Sequence, residues 1–95
     1  MNRRHVDMYH LFKNELKDLA RRIAFFGVNY RDFLVGCAIL AYDGFEYRIF
    51  VGYNIMTKKG GPKRCAECDA LEAVRAAGFD LIVVLPRIGN MINRR

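Results

Sequence analysis

Phe33 to Ala41 reads Phe-Leu-Val-Gly-Cys-Ala-Ile-Leu-Ala, without a single charge. Both alternating sets of positions are apolar, so the run suits a strand buried on both faces rather than one with a wet side. A strand of that kind needs other elements packed over it. The rest of the chain is therefore read for what could cover it.

Ahead of the run, Phe12, Leu16, Leu19, Ile23 and Phe26 recur at spacings of four and three. They form one apolar stripe along a helix, with Lys13, Asn14, Lys17, Asp18, Arg21 and Arg22 on the other side. The helix is expected from about Val6 to Phe26, ended by Gly27. After the run, Asp43-Gly44 signals a turn. Phe45, Tyr47, Ile49, Val51 and Tyr53 then alternate with polar or small residues, the pattern of a half-buried strand. The two strands should pair as an antiparallel hairpin.

Thr57 to Arg64 is rich in Gly and Lys and reads as a loop. Cys65 to Ala77 consists mostly of helix formers, and Gly78 is a natural stop. Asp80 to Leu85 is a short central-type strand closed by Pro86, while Arg87 to Arg95 has no clear pattern. The predicted order is α-β-β-α-β in one domain over residues 1–95. A right-handed crossover through the second helix makes the second and third strands parallel. The expectation is a three-stranded mixed sheet with helices packed on it.

Chemistry concentrates at Cys65-Ala66-Glu67-Cys68. A cysteine at a helix N-terminus has its thiolate favoured by the helix dipole and can bind a metal at neutral pH. Glu67, two residues on, can reach a water bound to such a metal. Zinc lowers the pKa of its water to about 7. A neighbouring carboxylate then carries the proton from that water to a leaving amine, as in zinc nucleobase deaminases. Cys68 completes a Cys-x-x-Cys spacing, open to three readings: a second ligand, a packing or partly exposed thiol, or a redox partner. The simplest alternative for Glu67 is an ordinary acid at a helix start. Cys37 reads as core packing, His5 and His10 as surface histidines.

Four segments in series resemble the cytidine deaminase family. Asn29 to Leu40 is similar to its Pro-Tyr-Ser-x-Phe-x-Val-Gly-Ala-Ala-Leu-Leu. Asp43-Gly44 and Gly52-Tyr53-Asn54-Ile55 resemble its Asp-Gly turn and Gly-x-Asn-x-Glu strand end, and Cys65-Ala66-Glu67 matches its Cys-Ala-Glu. Gly60-Gly61-Pro62 resembles the blasticidin-S deaminase branch. The resemblance covers roughly residues 10 to 85. It implies a three-layer α/β/α fold and hydrolytic deamination of a cytidine-type nucleoside or analogue. It further implies Cys65 as a zinc ligand, Glu67 as the proton carrier, Phe33 lining the nucleoside pocket and Asn54 bonding the ribose.

Two departures stand out. Met56 occupies the place of a family acid that contacts the ribose. No cysteine follows Cys68, so the family's Pro-Cys-x-x-Cys, the source of two further ligands, is absent and Pro86-Arg87-Ile88-Gly89-Asn90 stands there instead. A catalytic zinc takes three protein ligands and an open position. An inactive deaminase-like binding module is therefore the main alternative to an enzyme. The sheet would also stop early, leaving an edge of the Leu81 to Leu85 strand for a second copy, another chain or the tail to cover; an oligomer is expected.

Charge adds a weaker third reading. The net charge of +6 permits an anionic partner, including nucleic acid, although a solvated basic surface is the simpler explanation. No stretch approaches the roughly 20 apolar residues that span a bilayer. The basic start Met1 to His5 is not followed by a signal-peptide core, and the expected location is the cytoplasm.

Overall fold

The computed structural model describes residues 3–31, 33–84 and 87–91. Helix α1 (Arg3–Ala24) leads into β1 (Val28–Asn29), β2 (Phe33–Tyr42), β3 (Tyr47–Tyr53) and β4 (Ile55–Met56). Helix α2 (Ala66–Ala76), β5 (Leu81–Val84) and β6 (Arg87–Met91) complete the order.

β2 is the centre of the molecule, as its apolar run requires. Val35, Cys37, Ile39 and Ala41 point to one face and pack with Ala66, Ala70, Val74 and Phe79. Ala38 and Leu40 point to the other and pack with Leu16 and Ala20. Two helices therefore sandwich one strand, and the alternation of its side chains divides the core into two halves. Each helix uses residues four apart for this face: Leu16, Ala20 and Ala24 on α1, Ala66, Ala70 and Val74 on α2. The three-layer α/β/α architecture is the expected one.

β3 pairs antiparallel with β2 through Gly36↔Tyr53 to Tyr42↔Tyr47, and β5 pairs antiparallel with β2 on its other side. β3 and β5 therefore run in the same direction, as the crossover requires, with β2 between them. The parallel pairing itself is in the small sheet of β1 and β4, Val28↔Ile55 and Asn29↔Met56.

Several boundaries differ from expectation. α1 begins three residues earlier and ends at Ala24, leaving Phe26 67% exposed, with its ring near Tyr53. Its backbone closes in tight turns that put Phe26 beyond the helical stripe. Phe45 belongs to the turn and is 89% exposed; Asp43 Oδ1 accepts hydrogen bonds from the N–H groups of Phe45 and Glu46 there. β3 is not buried on one face only. Tyr47 and Ile49 pack toward α1, but Phe50 meets Phe79 on the α2 side, and Val51 is an exposed position. The reason is that α1 covers one face of β3 and α2 the other, so both alternating sets of its side chains are partly buried.

The segment after β5 is not patternless. β6 extends the same edge of β2, Phe33↔Met91 to Cys37↔Arg87. It adds to β2, and among the described residues none pairs with the outer edge of β5, where Leu81 and Ile82 are exposed. The expected strand end at Leu85-Pro86 and the residues from 92 onward lie outside the described residues. No helix among the described residues is long and apolar enough to cross a membrane.

Two glycines set helix positions. Gly78 has φ +80°, and the bonds from its N–H to Arg75 O and from Phe79 N–H to Val74 O close a Schellman end. That end turns Phe79 back onto Val74 in the core. A Cβ at Gly52 would run into the backbone of Ala66 and Ala70. The bare glycine lets α2 lie directly on β3.

Candidate functional site

Four separate segments meet at one end of β2. The end of β3 is held there by Asn54, which is 9% exposed. Its backbone N–H donates to Val35 O at 3.1 Å, and its backbone O accepts from Val28 N–H at 2.9 Å. Its side chain works too: Nδ2 donates to Phe33 O, and Oδ1 accepts from Val35 N–H, both at 2.9 Å. One residue, through its backbone and its side chain, therefore ties the start of β2, the end of β3 and β1 together. Among the described residues, one N–H and one oxygen lone pair of its side-chain amide are left for another partner.

The loop from Thr57 is an excursion whose ends close on each other. Ile55 N–H donates to Arg64 O at 2.9 Å and Arg64 N–H to Ile55 O at 2.8 Å. This bridge delivers Cys65, in extended backbone at φ −82°, ψ 155°, as the N-cap of α2. Arg64 reaches along the helix to Asp69, at 3.0 Å, and to Glu72. Asp69 Oδ2 accepts from Tyr53 N–H at 3.2 Å, so the first turn of α2 is pinned to the end of β3.

Between these parts lies a cleft of about 210 Å³. Phe33, Asn54, Cys65 and Glu67 all line it, with Asn29, Met56, Lys63 and Arg64 among their neighbours. The structure thus brings together Glu67, Phe33, Asn54 and Cys65; Cys68 does not line the cleft. Phe33 is 39% exposed and forms cleft wall rather than core, because it is the first residue of β2, beyond the cover of both helices. Met56 lines the cleft where the resemblance would put an acid.

Cys65 and Cys68 are joined as a disulfide, with Cα atoms 5.3 Å apart. The spacing alone allows free thiols, ligands or packing groups. The fold brings the sulfurs of the cap residue and the third helical residue onto one another. Cys37 is buried in the core outside this pair. His10 is exposed, but His5 is not a simple surface residue. Its Nδ1 lies 2.6 Å from Tyr47 Oη, and its ring packs edge-on against Tyr42 and Tyr47.

Sequence reasoning missed Asn29, Lys63, Arg64 and Asp69. Asn29 Oδ1 accepts from the N–H groups of Arg31 and Phe33 and shapes the turn into β2. The basic run from Lys58 to Arg64, just before Cys65, was a sequence signal for Lys63 and Arg64, whereas Asp69 had none.

Solved structures place this arrangement. Cytidine deaminase from Mycobacterium tuberculosis superposes with a TM-score of 0.71 and 28% identity over 80% of this chain. The chain has the cytidine deaminase fold. The cytidine deaminase from Burkholderia pseudomallei gives a TM-score of 0.71 at 26% identity, and that from Mycobacterium leprae 0.70 at 26%. The chain spans 60%, 61% and 62% of these three proteins, so it carries a part of the cytidine deaminase fold as they have it. No protein-family model and no curated protein matches the sequence.

Zinc, which the resemblance implies, does not fit the donors present. Among the described residues no group of three or more His, Cys, Asp or Glu could hold a metal ion. The two sulfurs near the cleft are bonded to each other, and a ligand must be a thiolate.

Proposed function

We propose that the cleft binds a cytidine-type nucleoside or analogue, with the base toward Glu67 and the sugar toward Asn54. The observation that carries this reading is the convergence of Phe33, Asn54, Cys65 and Glu67 on one cleft from three segments, the start of β2, the end of β3 and the start of α2. An aromatic wall offers a face on which a base packs. The Asn54 amide, held by two backbone bonds, presents its remaining donor and acceptor to a hydroxyl without ordering cost. Glu67 stands in the first turn of α2 and lines the cleft. A carboxylate there can take a proton from a water and return it to a ring nitrogen or a leaving amine.

The reaction class supported by fold and residues is hydrolytic deamination. The donors among the described residues do not complete a zinc site. That same donor set favours a second reading: a deaminase-like module that binds the nucleoside and leaves it unchanged. Calorimetric titration with cytidine, alongside a spectroscopic assay for uridine, separates the two. Binding with turnover that falls about 10²–10⁴-fold in Glu67→Gln supports the enzyme. Binding that Phe33→Ala abolishes, without turnover in the parent protein, supports the module. A folded protein that binds neither cytidine nor uridine at millimolar concentration defeats both.

A further inference from the structure

The Cys65–Cys68 pair is unexplained by nucleoside binding. Deamination uses a metal-bound thiolate or none, and a disulfide beside the cleft serves neither. Its setting has three further features. Cys65 caps α2 without any side-chain hydrogen bond to the helix. Cys68, three residues on, is solvent-exposed while Cys65 is half-buried. The Cα separation of 5.3 Å lies within the ordinary disulfide range of about 4.4–6.8 Å, so both bonded and open forms fit one backbone.

We infer that Cys65 and Cys68 are a thiol–disulfide exchange site that reacts with small thiols and disulfides of the glutathione class. In the reducing direction, the thiolate of a small thiol attacks the exposed Sγ of Cys68. The Cys65–Cys68 bond breaks, a mixed disulfide forms on Cys68, and Cys65 leaves as a thiolate. The helix N-terminus stabilises that leaving group, and a better-stabilised thiolate leaves faster. A second small thiol then attacks the small-molecule sulfur of the mixed disulfide, releasing Cys68 and a symmetrical small disulfide. Two thiols are oxidised, one protein disulfide gains two electrons, and their two protons end on Cys65 and Cys68. Oxidation runs the same steps backward with the small disulfide as oxidant.

The site also touches the cleft, because Cys65 is one of its lining residues and Cys68 is not. Oxidation withdraws the one thiolate the cleft can offer, and reduction returns it. The cleft therefore presents two different chemical surfaces in the two redox states.

The test is to equilibrate the full chain in buffers of reduced and oxidised glutathione spanning a wide ratio. Reactions are quenched by alkylation and read by intact mass and peptide mapping. The expected result is one intramolecular Cys65–Cys68 bond per chain, appearing and disappearing reversibly with the ratio, while Cys37 stays alkylatable only on unfolding. In Cys65→Ser, one glutathione per chain should accumulate on Cys68. Two results overturn the inference: both thiols remain reduced throughout, or oxidation links chains to each other instead. Wild-type mapping decides the matter even if the variant fails to fold. Cytidine plays no part in the readout, so its outcome is separate from that of the nucleoside reading.

Discussion

Replacing Asn54 by alanine removes two side-chain hydrogen bonds. The N–H of Val35 loses its acceptor, and Val35 is 5% exposed, so water cannot easily take over. A buried donor left without a partner costs about 1–3 kcal/mol. The carbonyl of Phe33 also loses its donor, but Phe33 sits at the open rim and water replaces much of that bond. The expected loss is about 2–4 kcal/mol, a large share of the ~5–15 kcal/mol that holds a domain folded. Urea unfolding followed by circular dichroism measures it. With a slope of about 1–3 kcal/mol per molar for a small domain, the midpoint should fall by about 1–2 M while the slope is unchanged. Asn14→Ala, at an exposed position on α1, serves as the control and should stay within about 0.5 kcal/mol of the parent. Asn54→Asp keeps an acceptor for Val35 and should lie between the two. If Asn54→Ala shifts the midpoint no further than Asn14→Ala, the amide is not the tie described above.

Gly52→Ala drives a methyl group into the backbone of Ala66, 2.5 Å away, and of Ala70. Overpacking of this kind costs about 1–3 kcal/mol, or roughly 5–20 °C in Tm at this size, and cytidine affinity should fall with it because α2 carries Glu67. An unchanged melting curve by scanning calorimetry would show that α2 does not rest on β3. At the hairpin, hydrogen bonds from the N–H groups of Glu46 and Phe45 hold the Asp43 carboxyl below its ordinary pKa. A depressed folded-state pKa adds stability that is fully present above the unfolded value of about 4 and disappears as pH falls through the folded value. The stability difference between the parent and Asp43→Asn should therefore be constant from neutral pH down to about pH 5 and narrow below pH 4; a difference that stays level to pH 2 contradicts the assignment.

Local pattern carried much of the architecture. The uncharged run of β2, the stripe on α1, the Asp43-Gly44 turn and the Ala-rich α2 are each readable because their residues are neighbours along the chain. So is the Cys65-Ala66-Glu67 segment, whose resemblance to the cytidine deaminases agrees with the fold. Other features had no such signal. β1 and β4 are two residues each, too short for any periodicity, and exist because their backbones find one another across 27 positions of sequence. β6 carries a mixed sequence and is a strand only because the edge of β2 is open to it.

What the sequence alone determined was which segments bury which faces, since side-chain alternation and helical periodicity are local and the hydrophobic effect acts on them without direction. The site was decided elsewhere. Asn54 reads as a strand end until Val35 and Phe33, about twenty residues earlier, close on its amide. Cys65 and Cys68 read as three options until the Ile55–Arg64 bridge and the first turn of α2 bring their sulfurs together. Hydrogen bonds and disulfides are short-ranged and directional. They form only after the chain has folded, and no one-dimensional pattern records which partner the fold will supply.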